Sequence, residues 1–222
     1  MYLPSHFEES RVEVLHQLMR THPLGLLITQ SRPHADGAPA PVEANALPFH
    51  LDEGRGPHGT LVAHVARANP VWREARTDAE VLVVFQGPQA YISPAWYATK
   101  RETGKVVPTW NYVLVEALGR LIVRDDATWV HALVSTLTDL HEAARPVPWK
   151  VSDAPADYIA ATQRAIVGIE VELSSLKGKW KVSQNRSAAD RAGVVQGLTA
   201  IGREDAATLI DTHEPHGPTP TS

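Results

Sequence analysis

Residues 111–123, NYVLVEALGRLIV, form the longest strand-like run in the chain, and their two faces decide the fold class. Val113, Val115, Ala117, Gly119, Leu121 and Val123 fall on one face of an extended strand, and Leu114, Glu116, Leu118, Arg120 and Ile122 on the other. A strand with one face in water alternates apolar with polar, whereas here both faces are largely apolar. The run therefore reads as a central strand or a barrel wall, with Gly119 marking a bend or bulge.

Working outward, Asp125 and Asp126 follow at once and cap a helix to about His141, with Trp129, Leu133, Leu137 and Leu140 on one stripe. Upstream lie the strand-like runs Gly25–Thr29, Val42–Leu51, Thr60–Val65, Val81–Gln86 and Ala90–Ser93, joined through turn residues such as Arg32–Pro41 and Gly54–Gly59. Ser5 to Glu8 has capping-box spacing and predicts a helix over 6–20. Asn69 and Pro70 predict an N-cap and first residue for one or two helical turns. Downstream, Ala143–Pro155 carries three prolines and reads as a crossing segment. Ile166–Leu173 and Lys179–Ser183 then pair as strands through a Lys177-Gly178 turn. Ser187 caps a helix to about Leu198, Glu204–Ile210 is a further short helix, and Thr212–Ser222 reads as a frayed tail. Six or more closely spaced strands, few helices and no βαβ rhythm predict a mainly β, α+β fold: an antiparallel barrel forming a single domain over 1–211.

Composition narrows the function classes. The chain of 222 residues is 43% hydrophobic and 21% charged, as in an ordinary globular protein. It has no cysteine, which excludes disulfides, thiolate zinc sites and iron–sulfur clusters. No run reaches the ~18 apolar residues of a membrane span, and no basic-then-apolar leader is visible, so a cytoplasmic protein is expected. The net charge of −4 lacks the basic excess of a dedicated nucleic-acid binder.

Several literal motifs fail on context. Gly54-Arg-Gly-Pro-His-Gly59 spells GxGxxG, but a strand follows it rather than a helix, so a hairpin loop is the better reading. Ser174-Ser-Leu-Lys177 spells SxxK at a strand end without its partner motifs. Eleven scattered histidines form no HExxH, and no metal site is expected.

Three clusters carry chemistry. His64-Val-Ala-Arg67-Ala-Asn69 places a guanidinium where a strand ends and a helix begins; it suits a phosphate, and equally a surface ion pair with Asn69 merely capping. Residues 91–112 hold Tyr91, Trp96, Tyr97, Trp110 and Tyr112, five of the chain's fourteen aromatics. With Trp110-Asn111 opening the long strand, that surplus suits a planar heterocycle or an aromatic subunit interface. Lys181-Val-Ser-Gln184-Asn-Arg186 puts Lys181 and Ser183 on one strand face, as a polar site or a helix-entry network.

The longer stretches resemble a known family. Met1-Tyr-Leu-Pro4 with His6-Phe7, Gly59-Thr-Leu, His64-Val-Ala-Arg-Ala-Asn-Pro-Val-Trp72, Val81-Leu-Val-Val-Phe-Gln-Gly-Pro88, Ala90-Tyr-Ile-Ser-Pro-Ala-Trp-Tyr97, Val107-Pro-Thr-Trp-Asn-Tyr112 and Gly178-Lys-Trp-Lys-Val-Ser-Gln-Asn-Arg186 together are similar to the PaiB family of FMN-binding negative transcriptional regulators. The resemblance extends to about Leu198. It implies a split β-barrel related to the pyridoxamine-phosphate-oxidase fold, homodimeric, with FMN in the groove between subunits. It further implies that residues 91–112 wall the flavin groove, that Arg67 meets the flavin phosphate with His64 and Asn69 beside it, and that Trp110 and Asn111 lie near the isoalloxazine. Lys181, Ser183 and Gln184 are implied as further cofactor contacts. The family name implies transcriptional repression, yet Glu204–Ile210 has two acids and no Lys or Arg, a poor recognition helix. A flavin-binding regulator and an FMN-dependent oxidoreductase of a small molecule both remain open.

Overall fold

The two-sided apolar run lies inside a sixteen-residue strand, β7 (Thr109–Arg124). In the computed structural model, which describes residues 1–32, 40–76 and 78–213, Val113, Val115 and Ala117 are wholly buried and the alternate residues half-buried. The other strands are β1 (Glu8–Glu9), β2 (Leu24–Gln30), β3 (Val42–Pro48), β4 (His50–Asp52), β5 (Thr60–Ala66), β6 (Glu80–Ile92) and β8 (Ile166–Lys181). They are hydrogen-bonded in the order β3-β2-β6-β7-β8-β5-β4, with β1 on β8. The β2–β3, β2–β6, β4–β5, β5–β8 and β1–β8 pairs are antiparallel; Leu27 stands opposite Asn45 and Val83, and His64 opposite Gly168.

The chain divides into two compact units, and β6, β7 and β8 each supply residues to both. The first unit comprises Met1–Leu18, Gln86–Glu116 and Lys177–Ser222. It takes most of α1 (Val12–Thr21), together with α3 (Thr99–Glu102), α6 (Ala188–Ala200) and α7 (Glu204–Thr212). Leu15, Ile92, Tyr97, Val113, Val194, Leu198 and Ile210 are buried there. Trp96 lies against α6 at Gly197, where even a methyl side chain would stand 2.3 Å from the ring.

The second unit comprises Met19–Phe85 and Ala117–Leu176. It takes β2 to β5, α2 (Val71–Glu74), α4 (Ala127–Glu142) and α5 (Ala156–Arg164). Leu27, Leu61, Ala63, Val83, Phe85, Val167, Ile169 and Val171 are wholly buried, and Phe49 meets Phe85 edge-on at 5.9 Å. Asp126 caps α4 by accepting from the Trp129 backbone N–H at 2.7 Å, and Leu133, Leu137 and Trp129 pack with Val62. Glu170 on β8 is fully buried between two guanidinium groups, Arg55 at 2.7 Å and Arg124 at 2.7 Å.

The structure departs from the sequence reading in several places. The first helix begins at Val12 rather than near 6, because Ser5–Phe7 is a 3-10 turn and Glu8–Glu9 joins β8. The 42–51 strand breaks at Phe49, whose buried ring turns the chain from β3 to β4. The runs 81–86 and 90–93 are one strand, β6, which passes through Pro88. Residues 166–173 and 179–183 are not a hairpin: β8 continues straight through Lys177-Gly178 and ends at Lys181. Gly119 does not break β7; it lets β7 approach the Glu172 carbonyl of β8. Thr212 closes α7 and His213 is buried, so the tail is ordered two residues further than expected. Most of the Arg32–Pro41 turn and the tail beyond His213 lie outside the described residues.

Candidate functional site

The eight residues singled out in the sequence do not form one cluster in one unit. His64, Arg67 and Asn69 belong to the second unit; Trp110, Asn111, Lys181, Ser183 and Gln184 belong to the first.

In the second unit, β5 carries His64 on its half-exposed face. Burial holds its imidazole below the usual histidine pKa, so the ring is neutral at pH 7. Its Nδ1 is shielded from solvent and has no hydrogen-bond partner. The ring lines a cavity of about 370 Å³ with Pro48, Leu137, Thr138, His141 and Trp149. A residue that lines such a space and carries an unpartnered ring nitrogen fits a ligand that can donate or accept a hydrogen bond.

Arg67 stands at the end of β5 and is already engaged. It grips Asp125 with two nitrogens, at 2.9 and 2.6 Å, and donates to the carbonyls of Arg164 at 2.7 Å and Ile166 at 3.1 Å. The Arg67 guanidinium holds the Asp125 carboxyl below the usual carboxylate range. Asn69 accepts from the Val71 backbone N–H at 3.0 Å and donates to Asn45 of β3 at 2.8 Å. The N-cap position is Pro70 rather than Asn69, so Asn69 holds the approach to a helix of a single turn, too short for a useful dipole. A phosphate here would have to displace Asp125.

The first unit brings its five residues together. Asn111 is buried and donates to the Ser183 hydroxyl at 2.9 Å. Ser183 sits at φ 65°, a left-handed conformation that non-glycine residues adopt rarely, and this bond helps to hold it there. Gln184 folds back, accepting from the Val182 N–H at 2.8 Å and donating to the Trp180 carbonyl. Lys181 reaches across to β7, where its ammonium donates to Thr109 Oγ1 and the Trp110 carbonyl, both at 2.5 Å. Desolvation, and then the positive charges of Lys179 and Arg186, push its pKa down. Among the described residues no carboxylate forms an ion pair with Lys179, Lys181 or Arg186. Trp110 is 52% exposed and meets the 48% exposed Tyr91 edge-on at 6.2 Å. An open aromatic pair beside uncompensated cations fits a planar anionic ligand.

The aromatics of 91–112 thus divide. Trp96 and Tyr97 pack internally, with Arg186 over the Tyr97 ring at 4.8 Å, and Tyr91 and Trp110 face outward. Sequence reasoning missed Asn45, Thr109, Lys179 and Arg186. Only the last two left a sequence signal: Lys179 shares a strand face with Lys181, and Arg186 ends the same run.

Comparison with known proteins places the chain in a family. The family described as "Putative FMN-binding domain" matches residues 1–175. An uncharacterized protein of Aspergillus fumigatus is 34% identical over 98% of each chain. The protease synthase and sporulation protein PAI 2 of Bacillus subtilis is 28% identical over 96% of this chain and 97% of its own. The FAD- and heme-binding protein from Mycobacterium smegmatis superposes with a TM-score of 0.51 at 15% identity, covering 78% of this chain and 73% of that one. That likeness supports the fold alone, an antiparallel split β-barrel of the flavin-binding type with peripheral helices. No helix among the described residues is long and apolar enough to cross a membrane. The chain belongs to the PaiB-type family of FMN-binding domains, a flavin-binding family.

Proposed function

We propose that the chain binds FMN as a homodimer and works as a flavin-dependent regulatory protein of the PaiB type. The observation that carries the cofactor is the pairing of exposed Tyr91 and Trp110 with three cations that lack carboxylate partners. Lys181, with Arg186 and Lys179, takes the flavin phosphate. Trp110 and the Asn111–Ser183 pair support the ring, and Gln184 fixes the turn that positions Lys181. Within the second unit, His64 offers its unpartnered Nδ1 to a ligand of that unit's own cavity, and Asn69 ties the start of α2 to β3. Arg67 is a clamp for the fold. The flavin supplies the redox chemistry; the protein's part is placement and charge.

Titration of the purified protein with FMN and with riboflavin tests this. Lys181→Gln is expected to weaken FMN about ten- to a hundredfold, the loss of one hydrogen bond to a charged group, and to leave riboflavin unchanged. Arg67→Ala is expected to lower stability and to change both ligands together. An FMN-specific loss in Arg67→Ala, with none in Lys181→Gln, would return the phosphate to Arg67.

An FMN-dependent oxidoreductase is the second reading. It is favoured by the exposed Tyr91–Trp110 face, which leaves room for a small substrate, and by α7, which carries Glu204, Asp205 and Asp211 but no Lys or Arg. Anaerobic flavin reduction by NAD(P)H or an added substrate supports the enzyme; salt-dependent binding to duplex DNA supports the regulator.

A further inference from the structure

An isolated helix shorter than about 12 residues is marginal in water, because the cost of nucleation outweighs so few hydrogen bonds. Helix α5 spans nine residues, and none of them is buried. Ala156, Ile159, Ala160 and Gln163 form one row of it at helical spacing and line a cavity of about 540 Å³ within the second unit. Across the cavity, α4 contributes a second row, His131, Ser135 and Asp139, while its Leu133 and Leu137 pack with Val62. Gln163 donates its side-chain amide to His131 Nδ1 at 2.9 Å and so ties the two rows. Lys150 and the 3-10 turn that follows it, Val151–Asp153, complete the wall with buried Val151 and the Ser152 hydroxyl. Among the described residues, the Asp139 carboxylate and the Lys150 ammonium form no ion pair, either with each other or with another side chain.

We infer that this cavity is a binding site for a free α-amino acid with an apolar side chain. Charge selects the ligand. An anion would be opposed by Asp139, and a cation by Lys150. A neutral molecule would take both charges out of water and pair neither. A zwitterion satisfies the two together: its carboxylate pairs with Lys150 and its ammonium with Asp139, and the Ser135 and Ser152 hydroxyls line the same cavity for the remaining hydrogen bonds. Val151, Ile159 and the two alanines of α5 supply an apolar wall for the side chain. The volume lies within the range of about 300–1,000 Å³ usual for small-molecule sites. A bound amino acid bridges α4 and α5 and supplies the packing that α5 lacks. None of the lining residues is among the flavin contacts assigned above, so the site goes beyond the flavin reading and does not depend on it.

Isothermal titration of the full chain with L-leucine, L-isoleucine and L-phenylalanine reads the outcome. At least one is expected to bind at millimolar concentration or below. Its N-acetyl and amide derivatives, which lack the ammonium and the carboxylate charge respectively, are each expected to bind at least about tenfold more weakly, the loss of one hydrogen bond to a charged group. Asp139 and Lys150 are exposed, so their neutral variants are expected to fold. Asp139→Asn is expected to abolish the preference over the N-acetyl derivative, and Lys150→Gln the preference over the amide. Backbone hydrogen exchange across α5 is expected to slow when the amino acid is added to the wild type. Three results overturn the proposal: no binding by any of the three amino acids, unchanged binding in both variants, or tighter binding of a blocked derivative. FMN affinity is expected to be the same in both variants as in the wild type, so those failures leave the flavin reading as it stands. A loss of FMN affinity in either variant would assign the cavity to the flavin and overturn it as a separate site.

Discussion

Replacing both Arg55 and Arg124 by alanine is expected to cost about 3 kcal/mol or more of folding stability at pH 7, the range for stranding a buried charge. Glu170 is 0% exposed, and its two oxygens are divided between these guanidinium groups. Burial alone would push its pKa up; the hydrogen bonds from Arg55 and Arg124 more than reverse this and hold it below the usual range. The arginines are about 40% exposed and lose little when unpaired, whereas the carboxylate has no access to water. The sign of the pH dependence follows. In the wild type the folded pKa is depressed, so this stabilisation is fully present above about pH 4.5 and is lost as pH falls through the folded value. In the double variant burial acts unopposed and raises the pKa, so the deficit narrows in acid as Glu170 takes up a proton. Urea unfolding at pH 7 and pH 4 measures both effects. A deficit that is equal at the two values, or absent, would show that Glu170 is not the group responsible.

Gly119→Val is expected to be the most damaging single substitution in β7, costing about 3 kcal/mol or preventing soluble expression. A Cβ at 119 would stand 2.2 Å from the Glu172 carbonyl oxygen and 2.8 Å from its carbon. Both are backbone atoms of β8, and neither can rotate away as a side chain can. Arg120→Val, one residue on and exposed, adds the same branched side chain where there is room, and is expected to stay within about 0.5 kcal/mol. Equal urea midpoints for the two variants would mean that β7 and β8 do not approach so closely.

Where the sequence was legible, the signal was local. The apolar residues of β7 and the Asp126 cap can both be read from neighbours in the chain. The continuity of β8 was not legible, because Ser174-Ser-Leu-Lys-Gly looks like a turn until β1 and β7 are present to hydrogen-bond it. Helix α5 was missed for a similar reason: it buries no residue and lacks an apolar stripe to announce it. Arg67 shows the same limit at the candidate site. Its local setting suits a phosphate as well as an ion pair, and Asp125, fifty-eight residues away, decides what it touches here. Lys181, Ser183 and Gln184 were easier, since the three lie within four consecutive residues.

The threading of β6, β7 and β8 through both units has a consequence for synthesis. The second unit needs Met19–Phe85 together with Ala117–Leu176, so it cannot close until roughly four-fifths of the chain has left the ribosome. The first unit needs Met1–Leu18 and also Lys177–Ser222, so its first segment waits for residues made long after it. Vectorial folding, in which an N-terminal portion settles while the remainder is translated, is closed to both units. The nascent chain carries its apolar strands unpaired for most of its synthesis, and a fragment ending at residue 175 would lack α6, α7 and the Lys179, Lys181, Ser183, Gln184 and Arg186 side of the Lys181 cluster.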